Sequence, residues 1–279
     1  MIGYRTEAAQ RASFHAAGAG GVALIRPHAA AAGVDKMESA GTIQTEIERR
    51  VERLAWPKLE AALDERGFAL IPALLRSGEC AAVAAMYGHR ELFRSRVEMA
   101  RFRFGLGEYK YFAAPLPPLI AALRISLYRR LAPIAARWSE SLRLGVEYPA
   151  ALDQFLRACR AAGQTKPTPL VLRYAAGGYN CMHQDLYGEV FFPLQATVML
   201  ARPEADFAGG EFLLAEQRPR AQARVEALRL ERGMAIVFAT RWRPVRGARS
   251  VYRAAIRHGV STVARGGRTT LGVIFHDAR

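Results

Sequence analysis

His183 and Asp185 stand two positions apart in "RYAAGGYNCMHQDLYGE", residues 173–189. On extended backbone, side chains i and i+2 point to the same side. An imidazole and a carboxylate placed this way can converge on one cation. A second histidine, His258, lies 73 residues after Asp185 in "IRHGVSTVARGGR". Two neutral imidazoles and one carboxylate hold a divalent metal and leave about three coordination positions open. A His-x-Asp pair alone is a weak signal, because six histidines and 25 acids produce such pairs by chance. Read by themselves, the pair is a solvated loop and His258 a core histidine bonded to backbone.

Arg268 follows His258 by ten residues and opens the strand-like run "RTTLGVIF". A guanidinium there can fork onto a carboxylate. Thr270, two positions on and so on the same face, can add a hydroxyl to that carboxylate. Metal ligands with open positions, joined to a carboxylate anchor, fit a non-haem Fe(II) centre that binds a co-substrate and oxygen together. In a chain this rich in arginine, Arg268 gains weight only from its position. His276-Asp277 repeats a His/acid pair at the chain end, where it is expected to be exposed and inert.

These residues must be positioned by two kinds of element. Residues 1–41 are rich in Ala and Gly and read as a flexible tail. Their early arginines and scarce acids resemble a targeting peptide only faintly, since Gly and Pro interrupt the pattern. From Thr42 to residue 165 a mainly helical support region is expected. Ile43, Ile47, Val51 and Leu54 recur at helical spacing. Pro57 suits a first helical turn and Gly67 a stop. "FALIPALL" reads as a buried strand, Ser77 as the cap of a helix to Met86, and "RFRFG" (101–105) as a half-exposed strand. Pro117 and Pro118 open a long amphipathic helix toward Trp138, and another helix spans about 150–162. After "GQTKPTP" short strand-like runs alternate with turns over 166–279, as in an all-β sandwich or barrel. The run "RPRAQARVEALRLERG" fits a strand or one Ala-rich helix.

The chain has 279 residues, half of them apolar, enough to bury a core without disulfides. No apolar run approaches the length of about 18 residues that spans a bilayer. Cys80, Cys159 and Cys181 are too few and too scattered for a disulfide framework, so reduced thiols and a cytoplasmic location are expected. The formal net charge is +15, and every one of the 40 basic residues except Lys36, Lys58, Lys110 and Lys166 is arginine. Such a chain attracts anions, although the Arg and Ala bias also reflects nucleotide composition.

With these residues in view, the sequence resembles the Fe(II)/2-oxoglutarate-dependent dioxygenases, prolyl-hydroxylase-type members above all. His183-Gln-Asp185, His258 and Arg268 are similar to their motif in order and spacing. Tyr174-Ala-Ala-Gly177, with His183 nine residues after the tyrosine, looks like the run before their first ligand. "FAGGEFLLAE" (207–216) resembles a Gly-Gly-Glu strand lead, and "HGVSTVARGGRTTLGVIF" their closing strands. The likeness covers 166–279 well, and "LDERGFALIPALL" only loosely. It implies an α+β chain, a double-stranded β-helix (jelly roll) with supporting N-terminal helices. It also implies Fe(II) on His183, Asp185 and His258, and 2-oxoglutarate on Arg268. Thr270 and Tyr174 would be helpers, though each also reads as an ordinary strand residue. O2 would be the second co-substrate. The implied chemistry is decarboxylation of 2-oxoglutarate to succinate and CO2, coupled to oxidation of a substrate C–H bond.

The substrate is less legible. A protein side chain or a small molecule is the first reading. Nucleic acid is the second, because Arg241, Arg243, Arg246, Arg249, Arg253 and Arg257 flank His258 with Trp242 and Tyr252 among them. Against it, DNA-dealkylating members carry an Asn two before the tyrosine and a second arginine soon after the first. Here those positions hold Leu172 and Ile274. A non-catalytic jelly-roll binding module is the third reading. Nothing in the sequence speaks for a membrane or fixes the oligomeric state.

Overall fold

In a computed structural model of the chain, residues 29–248 and 250–279 are described. Helix α1 (Ala29–Glu52) begins inside the stretch expected as a tail, whose residues 1–28 lie outside the described part. Helix α2 (Trp56–Arg66) carries Pro57 in its first turn. It ends at Gly67, whose φ of +77° lets its N–H reach back to the Leu63 carbonyl. Strand β1 (Phe68–Ile71) follows at once. In helix α3 (Ser77–Met86) the cap is Arg76, one residue before the serine expected there. Its N–H donates to the Glu79 carboxylate at 2.7 Å.

Residues 93–112 hold three strands, β2 (Phe93–Glu98), β3 (Gly105–Leu106) and β4 (Glu108–Phe112). The expected strand over "RFRFG" is instead a 3-10 turn (Met99–Phe102) that leads into β3. Its alternation of Arg and Phe has no buried face to serve, because Phe102 and Phe104 are both exposed. Helix α4 (Pro118–Ser141) buries Ile120, Leu123, Leu127, Leu131 and Ile134 along one stripe. Tyr128 of α4 meets Phe155 of helix α5 (Leu152–Ala161), as well as Phe192 and Phe275, in one aromatic cluster.

The remaining chain is strand after strand. These are β5 (Leu170–Ala175), β6 (Tyr179–His183), β7 (Leu194–Met199), β8 (Phe207–Gly209) and β9 (Phe212–Gln217). After them come β10 (Arg224–Leu228), β11 (Ala235–Ala239), β12 (Trp242–Arg246), β13 (Val251–Val260) and β14 (Val263–Val273). The ambiguous run at 218–233 therefore contains a strand.

The strands form two sheets. The larger runs β1-β11-β7-β14-β5-β4-β2, with β8 also on β14, and the smaller runs β10-β9-β13-β6-β3, with β12 also on β13. Described neighbours pair antiparallel throughout, as in a jelly roll. Residues from Glu38 to Arg279 form one compact unit with a shared core of helix and sheet residues.

His276 and Asp277, expected to be exposed, are buried. The chain end tucks beneath α4. There Arg124 donates to the Ile274 and Phe275 carbonyls at 2.9 Å and to Asp277 Oδ1 at 2.7 Å. A buried carboxylate needs such a partner, and this one is found only through the tertiary fold.

Candidate metal centre and anion pocket

Antiparallel pairing of β6 and β13 places His183 and His258 directly opposite each other. Cross-strand neighbours on one face bring their side chains together, and here the ring centroids are 4.1 Å apart. Asp185 lies just past the end of β6 and reaches between them. Its Oδ1 is 3.4 Å from His183 Nε2 and its Oδ2 is 3.3 Å from His258 Nε2. The three residues offer ligand atoms within 4.8 Å of one another.

Each donor is held from outside. His183 Nδ1 donates to the Cys181 carbonyl at 2.7 Å, which leaves Nε2 free to face the centre. The His258 ring is fixed by packing against the touching rings of Phe212, at 5.9 Å, and Phe238, at 4.7 Å. Gln184, the residue between the two ligands of the pair, donates to the Ile256 carbonyl at 2.7 Å and the Arg241 carbonyl at 3.1 Å. It staples the turn to β13. Tyr187 donates its hydroxyl to Asp185 Oδ1 at 2.7 Å.

The charges are mutually dependent. Burial pushes the Asp185 carboxyl up, but the two imidazoles outweigh it and hold the group well below the usual carboxylate range. Burial pulls His183 down, yet hydrogen bonding and charge from Asp185 leave it raised. His258 is lowered, by burial first and by the neighbouring His183 second. A carboxylate that stays ionised beside a neutral imidazole is what a divalent cation needs.

Behind this cluster a cavity of about 500 Å3 opens between the sheets. Arg268 lies at its wall, directly opposite Tyr174 in the β14–β5 register. Its side chain is 1% exposed, and only its Nε is engaged, donating to the Gly210 carbonyl at 2.7 Å. Nη2 is buried without a partner. Burial pushes the guanidinium down to about 10, still protonated at neutral pH. The Tyr174 ring lies 5.5 Å beneath it, and Asn180 Nδ2 donates to the Tyr174 hydroxyl at 3.4 Å. Thr270 is buried on the same wall. So is Gln195, whose Nε2 is a second buried donor without a partner. A buried cation with an unbonded Nη2 and an amide without an acceptor, in a cavity bordered by three side chains able to hold a metal, match a small dianion with one carboxylate at the arginine.

The fold thus brings His183, Asp185, His258, Arg268, Thr270 and Tyr174 to one cavity. It does not bring the 241–257 arginines there. Arg253 and Arg257 are exposed on the side of β13 away from the buried Ile256 and His258. Arg243 is buried against Glu216 and the Asp64 carbonyl, and Arg241 lies 3.7 Å over the Trp242 ring. The Arg249 side chain lies outside the described residues. Gln184, Tyr187, Asn180 and Gln195 were not singled out by sequence. Of these, Gln184 and Tyr187 flank the ligands closely enough for position to have suggested them.

The family model of Oxygenase-NA, described as "Oxygenase, catalysing oxidative methylation of damaged DNA", matches residues 107–278. The chain belongs to the Oxygenase-NA family. All six residues named above fall inside the matched span, and the protein is an oxygenase, an oxidoreductase. Uncharacterized proteins from two strains of Mycobacterium tuberculosis are 49% identical over 167 residues, which is 60% of this chain and 72% of theirs. A Trichoplax adhaerens prolyl hydroxylase, solved with a hypoxia-inducible-factor peptide fragment, is similar at TM-score 0.50 and 16% identity. The match covers 84% of this chain and 91% of that one. A Burkholderia pseudomallei oxidoreductase of the 2OG-Fe(II) oxygenase family aligns at TM-score 0.49 and 17% identity, over 81% and 94% of the two chains. The fold of this oxygenase is the jelly roll it shares with the Trichoplax enzyme. Among the described residues no helix is long and apolar enough to cross a membrane.

Proposed function

We propose that the protein is an Fe(II)- and 2-oxoglutarate-dependent oxygenase whose iron is held by His183, Asp185 and His258. The observation that carries this reading is the Arg268 guanidinium, buried without a carboxylate partner and with Nη2 unbonded, in the cavity that the three candidate ligands border. Bound iron would supply the site at which O2 and 2-oxoglutarate react to give succinate and CO2 while a substrate C–H bond is oxidised. The protein's own residues do the rest. His183 Nε2 and His258 Nε2 act as neutral donors, and Asp185 supplies the charge. Arg268 pairs with the distal carboxylate of the co-substrate, with Thr270 and Tyr174 beside it. The apolar wall of Leu170, Leu172 and Ile274 keeps bulk water from the co-substrate.

For the substrate, the family description naming damaged DNA favours nucleic acid over the protein side chain or small molecule read first from sequence. The oxidised group would then be an alkyl carbon on a base. Turnover tests the core of the reading. Purified protein given Fe(II), O2 and 2-oxoglutarate is expected to form succinate. Arg268→Ala should raise the KM for 2-oxoglutarate by roughly 10-fold to 100-fold, the worth of a charge-assisted pair. No succinate from the wild-type protein, with or without alkylated DNA, would instead support a binding module.

A further inference from the structure

The exposed segment Phe102-Arg103-Phe104 lies at the mouth of the cavity, and the catalytic reading leaves it without a role. Phe102 is 56% and Phe104 46% exposed, their rings stacked on one another at 5.6 Å with an interplanar angle of 20°. Leu106, Tyr179 and Met182, on β3 and the paired β6, are exposed beside them. Phe104, Arg103 and Met182 also line the cavity that holds the ligand cluster. Large apolar side chains gathered at the opening of a reaction pocket mark a binding surface.

The segment is rigidly mounted. The Phe104 carbonyl accepts from the Cys181 N–H at 2.8 Å, two residues before the first metal-facing histidine. Gly105, at φ +134°, approaches so closely that a Cβ would lie 2.3 Å from the Tyr179 carbonyl oxygen. Arg103 holds a left-handed conformation, φ +59°, that arginine rarely adopts. Such outliers persist where the surroundings enforce them, and they concentrate at ligand clamps. Its side chain has no hydrogen bond or ion pair among the described residues, and the residue lines the cavity. The neighbouring Arg101 is paired with Glu98 at 2.8 Å on the surface.

From this arrangement we infer that Phe102, Arg103 and Phe104 form a stacking platform for a single-stranded nucleic acid, holding a base next to the one that enters the cavity. The inference rests on the reading of the cavity as an oxygenase centre. It goes beyond the family match, which begins at residue 107. Flat, exposed rings accept any base face, and an unpaired guanidinium beside them meets the phosphate. The enclosed cavity can reach a base only outside a duplex stack. Stacked rings with an unpaired arginine next to them suit a base and its phosphate better than the surface of a folded protein.

Fluorescence anisotropy on the full chain with a labelled single strand of about 15 nucleotides tests this. Salt-sensitive binding is expected, with Phe102→Ala and Phe104→Ala each weakening it roughly 10-fold. Phe104→Trp should keep it, and Arg103→Ala should lower the salt slope by about 1. Val225→Ala, an exposed apolar residue on β10, is the control and should bind as wild type. Wild-type affinity in both alanine variants, shown folded by circular dichroism, overturns the inference. So does no single-strand binding at all, or a patch that only mediates self-association in sedimentation. Fe(II) and 2-oxoglutarate binding, measured on the wild-type protein without oligonucleotide, scores the reading of the centre separately.

Discussion

Tyr187 donates to the same carboxylate oxygen that approaches His183, so it restrains Asp185 before any metal arrives. Outer partners of this kind fix ligand orientation and are commonly worth 10-fold or more in metal affinity. Tyr187→Phe is therefore expected to lower Fe(II) affinity roughly 10-fold, read by competition with a chelator, while keeping the fold. Unchanged affinity would reduce the tyrosine to packing. The candidate ligands could be picked out of the sequence because their chemistry is rare and their spacing short. His183 ends β6 and Asp185 lies just past it, while Arg268 and Thr270 share a side of β14 by alternation. Gln195 and Asn180 were not legible. Their donors matter only because β7 and β6 turn them into a cavity that exists after folding.

At the scale of elements, the Gly-Gly turn between β8 and β9 holds Arg268 at the cavity wall. Gly210, at φ +65°, lets its carbonyl accept from Arg268 Nε, and a Cβ there would lie 2.8 Å from Arg268 Cδ. Gly210→Ala should cost about 1–3 kcal/mol of stability through the backbone alone. It should also raise the KM for 2-oxoglutarate by displacing the guanidinium. Thermal unfolding and steady-state kinetics on one preparation read both effects, and a KM at the wild-type value would separate the turn from the pocket. The strands from β5 onward were legible as short apolar runs between turns. "RFRFG" misled because alternation predicts a strand only when one side is buried. Here both phenylalanines face solvent, and the segment turns instead.

Over the whole molecule, the C-terminal end locks the helices to the jelly roll. His276 is buried, and its Nδ1 accepts from the Phe192 N–H at 3.2 Å. Burial holds its imidazole down to about 4, against an ordinary 6.5. Above 6.5 both the folded and unfolded states leave it neutral. As pH falls from 6.5 toward 4 the unfolded chain takes up a proton that the folded one refuses, so stability is lost, by up to about 3 kcal/mol. His276→Asn, which can keep the acceptor, should lose less stability between pH 7 and pH 5 than the wild-type protein in denaturant unfolding. An equal loss would place the pH sensitivity elsewhere. The sequence put this histidine at an exposed end, because proximity to a terminus says nothing about where a long helix such as α4 will cover it.

Anaerobic titration with Fe(II), followed by calorimetry, tests whether His183, Asp185 and His258 hold the iron. One ion is expected to bind per wild-type chain, and His183→Ala should bind none at the same concentrations. Iron binding by His183→Ala equal to that of the wild-type protein would contradict the assignment of the centre.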